Sequence, residues 1–163
     1  MKTTLRILSV ILAAMTLCLC VASCSGGGAS SKLAFKSPNG TTVTIGADAD
    51  PIIDALGSYV TSNNSPSCGG FQGNDYVYTY KGFRVSTTPA KNGQIVCKVE
   101  LTDDSVKTPE GLYIGMSRAD VEKAMKAFTA ESVGDNLVYT DGGVKLQVIL
   151  RSGSVSGIVY VAK

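Results

Sequence analysis

From residue 41 onward the apolar positions run through the same change of period twice. Ile52, Ala55 and Leu56 fall at helical spacing, and so do Val121, Ala124, Met125 and Phe128. Asp48 and Ser117 stand where helix N-caps are expected. Asp50 and Asp120 follow in the first turn, where the helix dipole favours a carboxylate, and Pro51 sits where its missing N–H costs nothing. Beyond each helix the period drops to two. Lys81-Gly82, Gly142-Gly143 and Ser152-Gly153 read as two-residue hairpin turns, which places Tyr80 opposite Phe83 and Leu150 opposite Val155.

The chain can therefore be laid over itself. Ile45 to Leu56 aligns with Ile114 to Met125, Val77 to Ser86 with Val138 to Gln147, and Gly93 to Leu101 with Gly153 to Val161. The main difference in length falls around residues 58–75 of the first copy. This pattern predicts an α+β fold: two tandem units of one helix and three antiparallel strands, about 43–103 and 112–163, sharing a sheet with both helices on one face. The expected folded domain is 41–163.

Strict alternation then divides the sheet residues. The face under the helices is expected to hold Tyr76, Tyr78, Tyr80, Phe83, Val85, Val99 and Leu101. In the second unit it should hold Tyr139, Val144, Leu146, Val148, Leu150, Val155, Val159 and Val161. The stripe Tyr76, Tyr78, Tyr80 has the look of a sugar or nucleobase platform, but this register assigns it to core packing. The other face is expected to be solvated. It would carry Arg84, Ser86, Val96, Lys98 and Glu100, then Lys145, Gln147, Ile149, Arg151, Ile158 and Tyr160. Of these, Lys145, Ile149, Arg151, Ile158 and Tyr160 form the expected partner-contact patch, an aromatic and two isoleucines ringed by charge.

The first 24 residues are of a different kind. Lys2 and Arg6 precede an apolar run from Ile7 to Ala22, the layout of a secretory signal peptide. Those residues would make a helix of about 24 Å, short of the roughly 30 Å a membrane span needs. Val21-Ala22-Ser23-Cys24 resembles the bacterial lipobox. That resemblance implies cleavage after residue 23, a diacylglycerol on the Cys24 sulfur and a protein held on the membrane, facing out of the cytoplasm. Residues 24–40, opening Ser-Gly-Gly-Gly-Ala-Ser-Ser after the cysteine, read as a flexible tether. The sixteen residues beyond Cys24 would have an r.m.s. reach of roughly 20–24 Å.

Composition narrows the chemistry. Fifteen basic and 13 acidic residues leave a net charge of +2, with no basic face for nucleic acid. The chain has no His, which removes the usual general base near neutral pH, Ser-His-Asp and Cys-His arrangements, and the commonest metal ligand. Asp48, Asp50 and Asp54 lack the spacing of a calcium loop and read as capping residues. There is no phosphate-binding loop and no nucleophile elbow. No enzyme activity, cofactor or metal is expected. Cys68 and Cys97 are a possible disulfide in an exported chain, closing a loop worth about 3–4 kcal/mol.

The tandem units with their Ile-Gly-x-Ser/Asp helix starts resemble the β-lactamase inhibitory protein fold and the related small lipoprotein subunit of the outer-membrane β-barrel assembly machinery. The stretches from Tyr76 to Phe83 and from Leu101 to Gly115 are similar to a group of lipoproteins of anaerobic Gram-positive bacteria. These resemblances imply a non-enzymatic surface module that binds a protein or an envelope polymer. The alternative is an accessory subunit of an envelope assembly. By analogy with the inhibitor family, the open sheet face and its loops would grip the partner.

Overall fold

A computed structural model describes residues 31–163. The expected signal peptide, Cys24 and the start of the tether lie outside the described residues. Eight strands form one antiparallel sheet: β3 (Thr61–Pro66), β4 (Asn74–Tyr80), β5 (Phe83–Ala90), β6 (Gly93–Leu101), β7 (Ala130–Val133), β8 (Asn136–Asp141), β9 (Val144–Arg151) and β10 (Ser154–Ala162). Their order across the sheet is β3-β4-β5-β6-β10-β9-β8-β7. A small hairpin, β1 (Phe35–Lys36) and β2 (Thr42–Val43), and two short helices, α1 (Ala49–Leu56) and α2 (Arg118–Ala124), complete the fold.

This corrects the α+β expectation. The chain is mostly β, and each helix, only about two turns long, is followed by four strands instead of three. The strands missed from the pattern are β3 and β7. Every residue of both is exposed, because they are the two edges of the sheet and neither face of them is covered. With nothing to bury, Thr-Ser-Asn-Asn-Ser-Pro shows no alternation to read.

The two halves nevertheless carry the same backbone pattern. Gly46 N–H donates to the Val96 carbonyl and Val96 N–H to the Ala47 carbonyl. Gly115 and Met116 exchange the same two bonds with Val155. Asp48 and Ser117 cap their helices by accepting from the Asp50 and Asp120 amides. The likeness extends further upstream than residue 43. Phe35-Lys36-Ser37-Pro38-Asn39-Gly40 matches Val106-Lys107-Thr108-Pro109-Glu110-Gly111, each turn closed by a Gly N–H donating to the Ser37 or Thr108 carbonyl at 2.9 Å.

The expected tether is therefore shorter than residues 24–40. Leu33, Phe35 and Val43 are fully buried. The tip of the β1–β2 hairpin also closes the end of α1, since Asn39 Nδ2 donates to the Ala55 and Leu56 carbonyls at 3.1 and 3.2 Å. Those carbonyls have no partner within the helix. Residues 33–40 belong to the folded body because their apolar positions have a sheet face to cover.

That face is covered by α1, α2, the β1–β2 hairpin and the connection between the halves, which contributes Val106 and Leu112. Its residues differ from strict alternation at two equivalent places. The ladder slips by one residue at Cys97 on β6 and at Ser156 on β10, the two central strands. A bulge inserts one unpaired residue, so every side chain beyond it changes face. Val96 and Val99 are consequently both buried, as are Val155, Ile158 and Tyr160. Val159 and Val161 move to the open face, opposite Glu100 and Lys98.

Candidate functional site

The bulge at Ser156 dissolves the expected contact patch. Tyr160 is 0% exposed, its hydroxyl 3.4 Å from Glu110 Oε2, and Ile158 is equally buried. Lys145, Ile149 and Arg151 remain outside the core, with Lys145 and Ile149 half-buried on the open face and Arg151 exposed at its end. Without the aromatic and one isoleucine they form no cluster. On the first half of that face Glu100 draws in Lys98 at 3.6 Å and Arg84 at 3.9 Å, exposed pairs of small energetic weight.

Cys68 and Cys97 are both free thiols. Cys68 is exposed in the β3–β4 loop. Cys97, as the bulge residue of β6, donates from Sγ to the Ser86 carbonyl at 3.3 Å. Burial first, and the charge of Asp75 next, push its thiol up from the ordinary value. Its strand holds it three positions in from the sheet edge, with β4 and β5 between it and β3.

Aromatic side chains gather elsewhere. On β4 the rings of Tyr76 and Tyr78 stack at 6.1 Å with 17° between their planes. Tyr59, just beyond α1, packs edge-on against Tyr78 at 5.3 Å and reaches Tyr80 at 6.4 Å. Tyr80 lies beneath, stacked 4.9 Å from Phe83 in the core. Tyr76 and Tyr78 are half-buried and Tyr59 is 45% exposed. The stripe assigned to core packing is thus core only at its Tyr80 end, because α1 stops at Gly57 before it can cover the rest.

The second half of the molecule supplies an internal comparison. Tyr78 faces Val85 as Tyr139 faces Leu146, and Tyr76 pairs with Thr87 as Leu137 pairs with Val148. Tyr59 stands three residues after buried Leu56, as Phe128 stands three after buried Met125. Tyr139 and Leu137 are each 1% exposed, and Phe128 is half-buried against the core. Each of the three positions is more open in the first half, where all three are tyrosines, than in the second, where two are buried and Phe128 is half-buried.

The surroundings of the open cluster are polar and carry little charge. Residues 58–74 include no Asp, Glu, Lys or Arg. Ser62 and Asn64 on β3 face Tyr78 and Tyr76 across the ladder. Asn74 Nδ2 donates to Asn64 Oδ1 at 3.4 Å, and Gln94 Nε2 donates to the Asn74 carbonyl at 3.1 Å. Burial first, then Tyr76, Tyr59 and the carboxylate of Asp50, raise the Tyr78 hydroxyl above its usual range.

An open cleft of about 340 Å³ runs between the two equivalent turns and is lined by Lys36, Pro38, Lys107 and Pro109 among others. Lys107 Nζ sits 4.7 Å from the Tyr113 ring centre. Among the described residues no group of His, Cys, Asp and Glu could hold a metal ion, and no helix is long and apolar enough to cross a membrane.

No protein-family model and no curated protein matches the chain. An extracellular protein containing a SCP domain from Bacillus anthracis str. Ames, known from a 1.5 Å crystal structure, superposes with a TM-score of 0.48 at 16% identity. The match covers 89% of this chain and 50% of that one, so the chain spans half the length of the protein it matches.

Proposed function

We propose that this protein is a non-enzymatic binding module, anchored to the outer side of the membrane through a lipid on Cys24, that holds a protein or envelope partner at the cluster Tyr59, Tyr76 and Tyr78. The observation that carries the reading is the contrast within one chain. A scaffold used twice carries three tyrosines in one copy at positions that are less exposed in the other, two of them fully buried there. Tyrosine offers a large apolar area and a hydroxyl at low conformational cost, which is why it is frequent where binding energy concentrates. A chain without His supports binding over catalysis.

The reading is tested with the full-length chain in detergent and isolated envelope material from the same cells. The double variant Tyr59→Ala/Tyr78→Ala should retain less than about a tenth of the wild-type binding, whereas Val133→Ala on the opposite edge should bind as wild type. Equal binding by the double variant overturns the reading. Cys24→Ser should abolish labelling by radioactive fatty acid, and full labelling would overturn the anchor. The alternative of an accessory subunit draws on β3, an exposed edge strand without charge, open to pairing with a partner's strand.

A further inference from the structure

We infer that the tyrosine cluster binds an uncharged glycan, a chain of neutral hexose or N-acetylhexosamine units; this rests on the cluster being the binding site proposed above. Three features of the cluster point to that class of ligand. The first is ring geometry. A pyranose presents one face of C–H bonds, which packs on an aromatic ring, and a rim of hydroxyls. The Tyr76 and Tyr78 rings stack on each other, 6.1 Å apart, and both are only half-buried, so the pair keeps ring surface exposed along the strand. Tyr59 packs edge-on against Tyr78, and its partial exposure leaves ring surface free.

The second is the hydrogen-bonding inventory. Sugar hydroxyls both donate and accept, and amides and hydroxyls do the same. Ser62 and Asn64 are paired across the ladder with Tyr78 and Tyr76, on the same face of the sheet. Both are exposed. The bond from Asn74 uses Asn64 Oδ1 and leaves the Asn64 amide N–H groups to donate outward.

The third is charge. The segment from residue 58 to 74 carries none, and the charged groups that border the cluster, Asp50 and Asp75, are both negative. A nucleic acid or an acidic polymer would bring phosphates or carboxylates with no cation here to meet them. A protein partner would bring a charged rim, which steers and orients most protein interfaces. A neutral glycan brings neither, and Asp50 can accept from one of its hydroxyls.

The absence of Trp makes the test direct, because tyrosine emission is the chain's own fluorescence signal. The full-length chain in detergent is titrated with cellohexaose, chitohexaose and mannohexaose, with polygalacturonate as the acidic control, following tyrosine emission and calorimetric heat. At least one neutral hexasaccharide should bind with a dissociation constant in the micromolar to millimolar range. Tyr78→Ala and Asn64→Ala should each weaken that affinity by about tenfold, and Val133→Ala should leave it unchanged. Tyr78→Phe separates stacking from the hydroxyl and should keep most of the affinity. No binding of any neutral hexasaccharide overturns the inference. So does binding of polygalacturonate alone, or binding that survives Tyr78→Ala. If the Tyr59→Ala/Tyr78→Ala variant loses envelope material while the wild type binds none of the hexasaccharides, the site stands and the ligand class falls.

Discussion

The ring of Phe35 lies 6.2 Å from that of Tyr160, their planes inclined by 54°, so the first strand of the fold closes on the last. Phe35 also packs 5.0 Å from Phe83, bridging the two halves of the sheet. It is fully buried, although it belongs to a stretch that composition alone assigns to a tether. Phe35→Ala is expected to cost about 3–5 kcal/mol of unfolding free energy, the range for emptying a buried aromatic site. Urea denaturation followed by far-ultraviolet circular dichroism measures it. A loss below about 1 kcal/mol would mean that the β1–β2 hairpin lies on the core without contributing to it.

Gly82 is fixed by two constraints together. Its φ is 84°, and a Cβ there would lie 2.5 Å from both Ser105 Oγ and Val106 Cγ2. Gly153 has a similar φ of 79° with open space around it. Gly82→Ala should therefore cost about 2–4 kcal/mol, from backbone strain and overpacking, and Gly153→Ala only about 1–2 kcal/mol, from strain alone. Equal melting points for the two variants would contradict the close approach of Ser105 and Val106.

Alkali should unfold the protein through its buried phenols. Burial first, with Tyr78 and Tyr59 next, pushes Tyr80 up to about 12. Burial also raises Tyr160, followed by the charge of Glu110, and raises Tyr139, followed by that of Glu122. Neither Tyr80 nor Tyr139 has a hydrogen-bond partner for its hydroxyl among the described residues. The unfolded chain releases these protons near pH 10 while the native state keeps them. Stability is thus complete below about pH 10 and falls as the pH rises from there through about 12. Unfolding in urea at pH 8, 10 and 11.5 checks the sign, and Tyr160→Phe should flatten the fall. Stability that held or rose across this window would refute the burial of the phenols.

The two thiols should be distinguishable without unfolding. Cys68 is exposed, whereas Cys97 is half-buried, bonded to the Ser86 carbonyl and raised in pKa by burial. Iodoacetamide at pH 8 should label Cys68 about tenfold faster than Cys97 or more, because only the thiolate reacts. In urea both should label alike. Peptide mass spectrometry without reductant should find no Cys68–Cys97 bridge, and finding one would overturn the free-thiol assignment.

Helix caps, hairpin turns and the repetition of the chain were legible in the sequence because each depends on neighbours a few residues away. Asp48, Ser117 and the turn at Lys81-Gly82 stand where their local chemistry places them. What alternation could not reveal were the interruptions of alternation. Nothing in Val-Cys-Lys-Val or Val-Ser-Gly-Ile announces that Cys97 and Ser156 are unpaired, and one unpaired residue was enough to turn Tyr160 from a surface residue into the centre of the core. The edge strands escaped for the opposite reason, since a strand that buries nothing leaves no apolar trace. The tyrosine stripe was visible as residues but not as a site, because its exposure depends on where α1 ends relative to β4.

The order β3-β4-β5-β6-β10-β9-β8-β7 has a kinetic consequence. Every neighbouring pair in the sheet is joined by a direct connection except β6 and β10, which meet at the centre through Ile158–Leu101, Val159–Glu100, Tyr160–Val99 and Val161–Lys98. Each half can zip from one hairpin to the next with only short loops to close. The search across the chain is confined to that single seam. Amide protection during refolding should consequently appear first at the three outer pairings within each half and last along β6–β10, the line on which two independently assembled meanders become one protein.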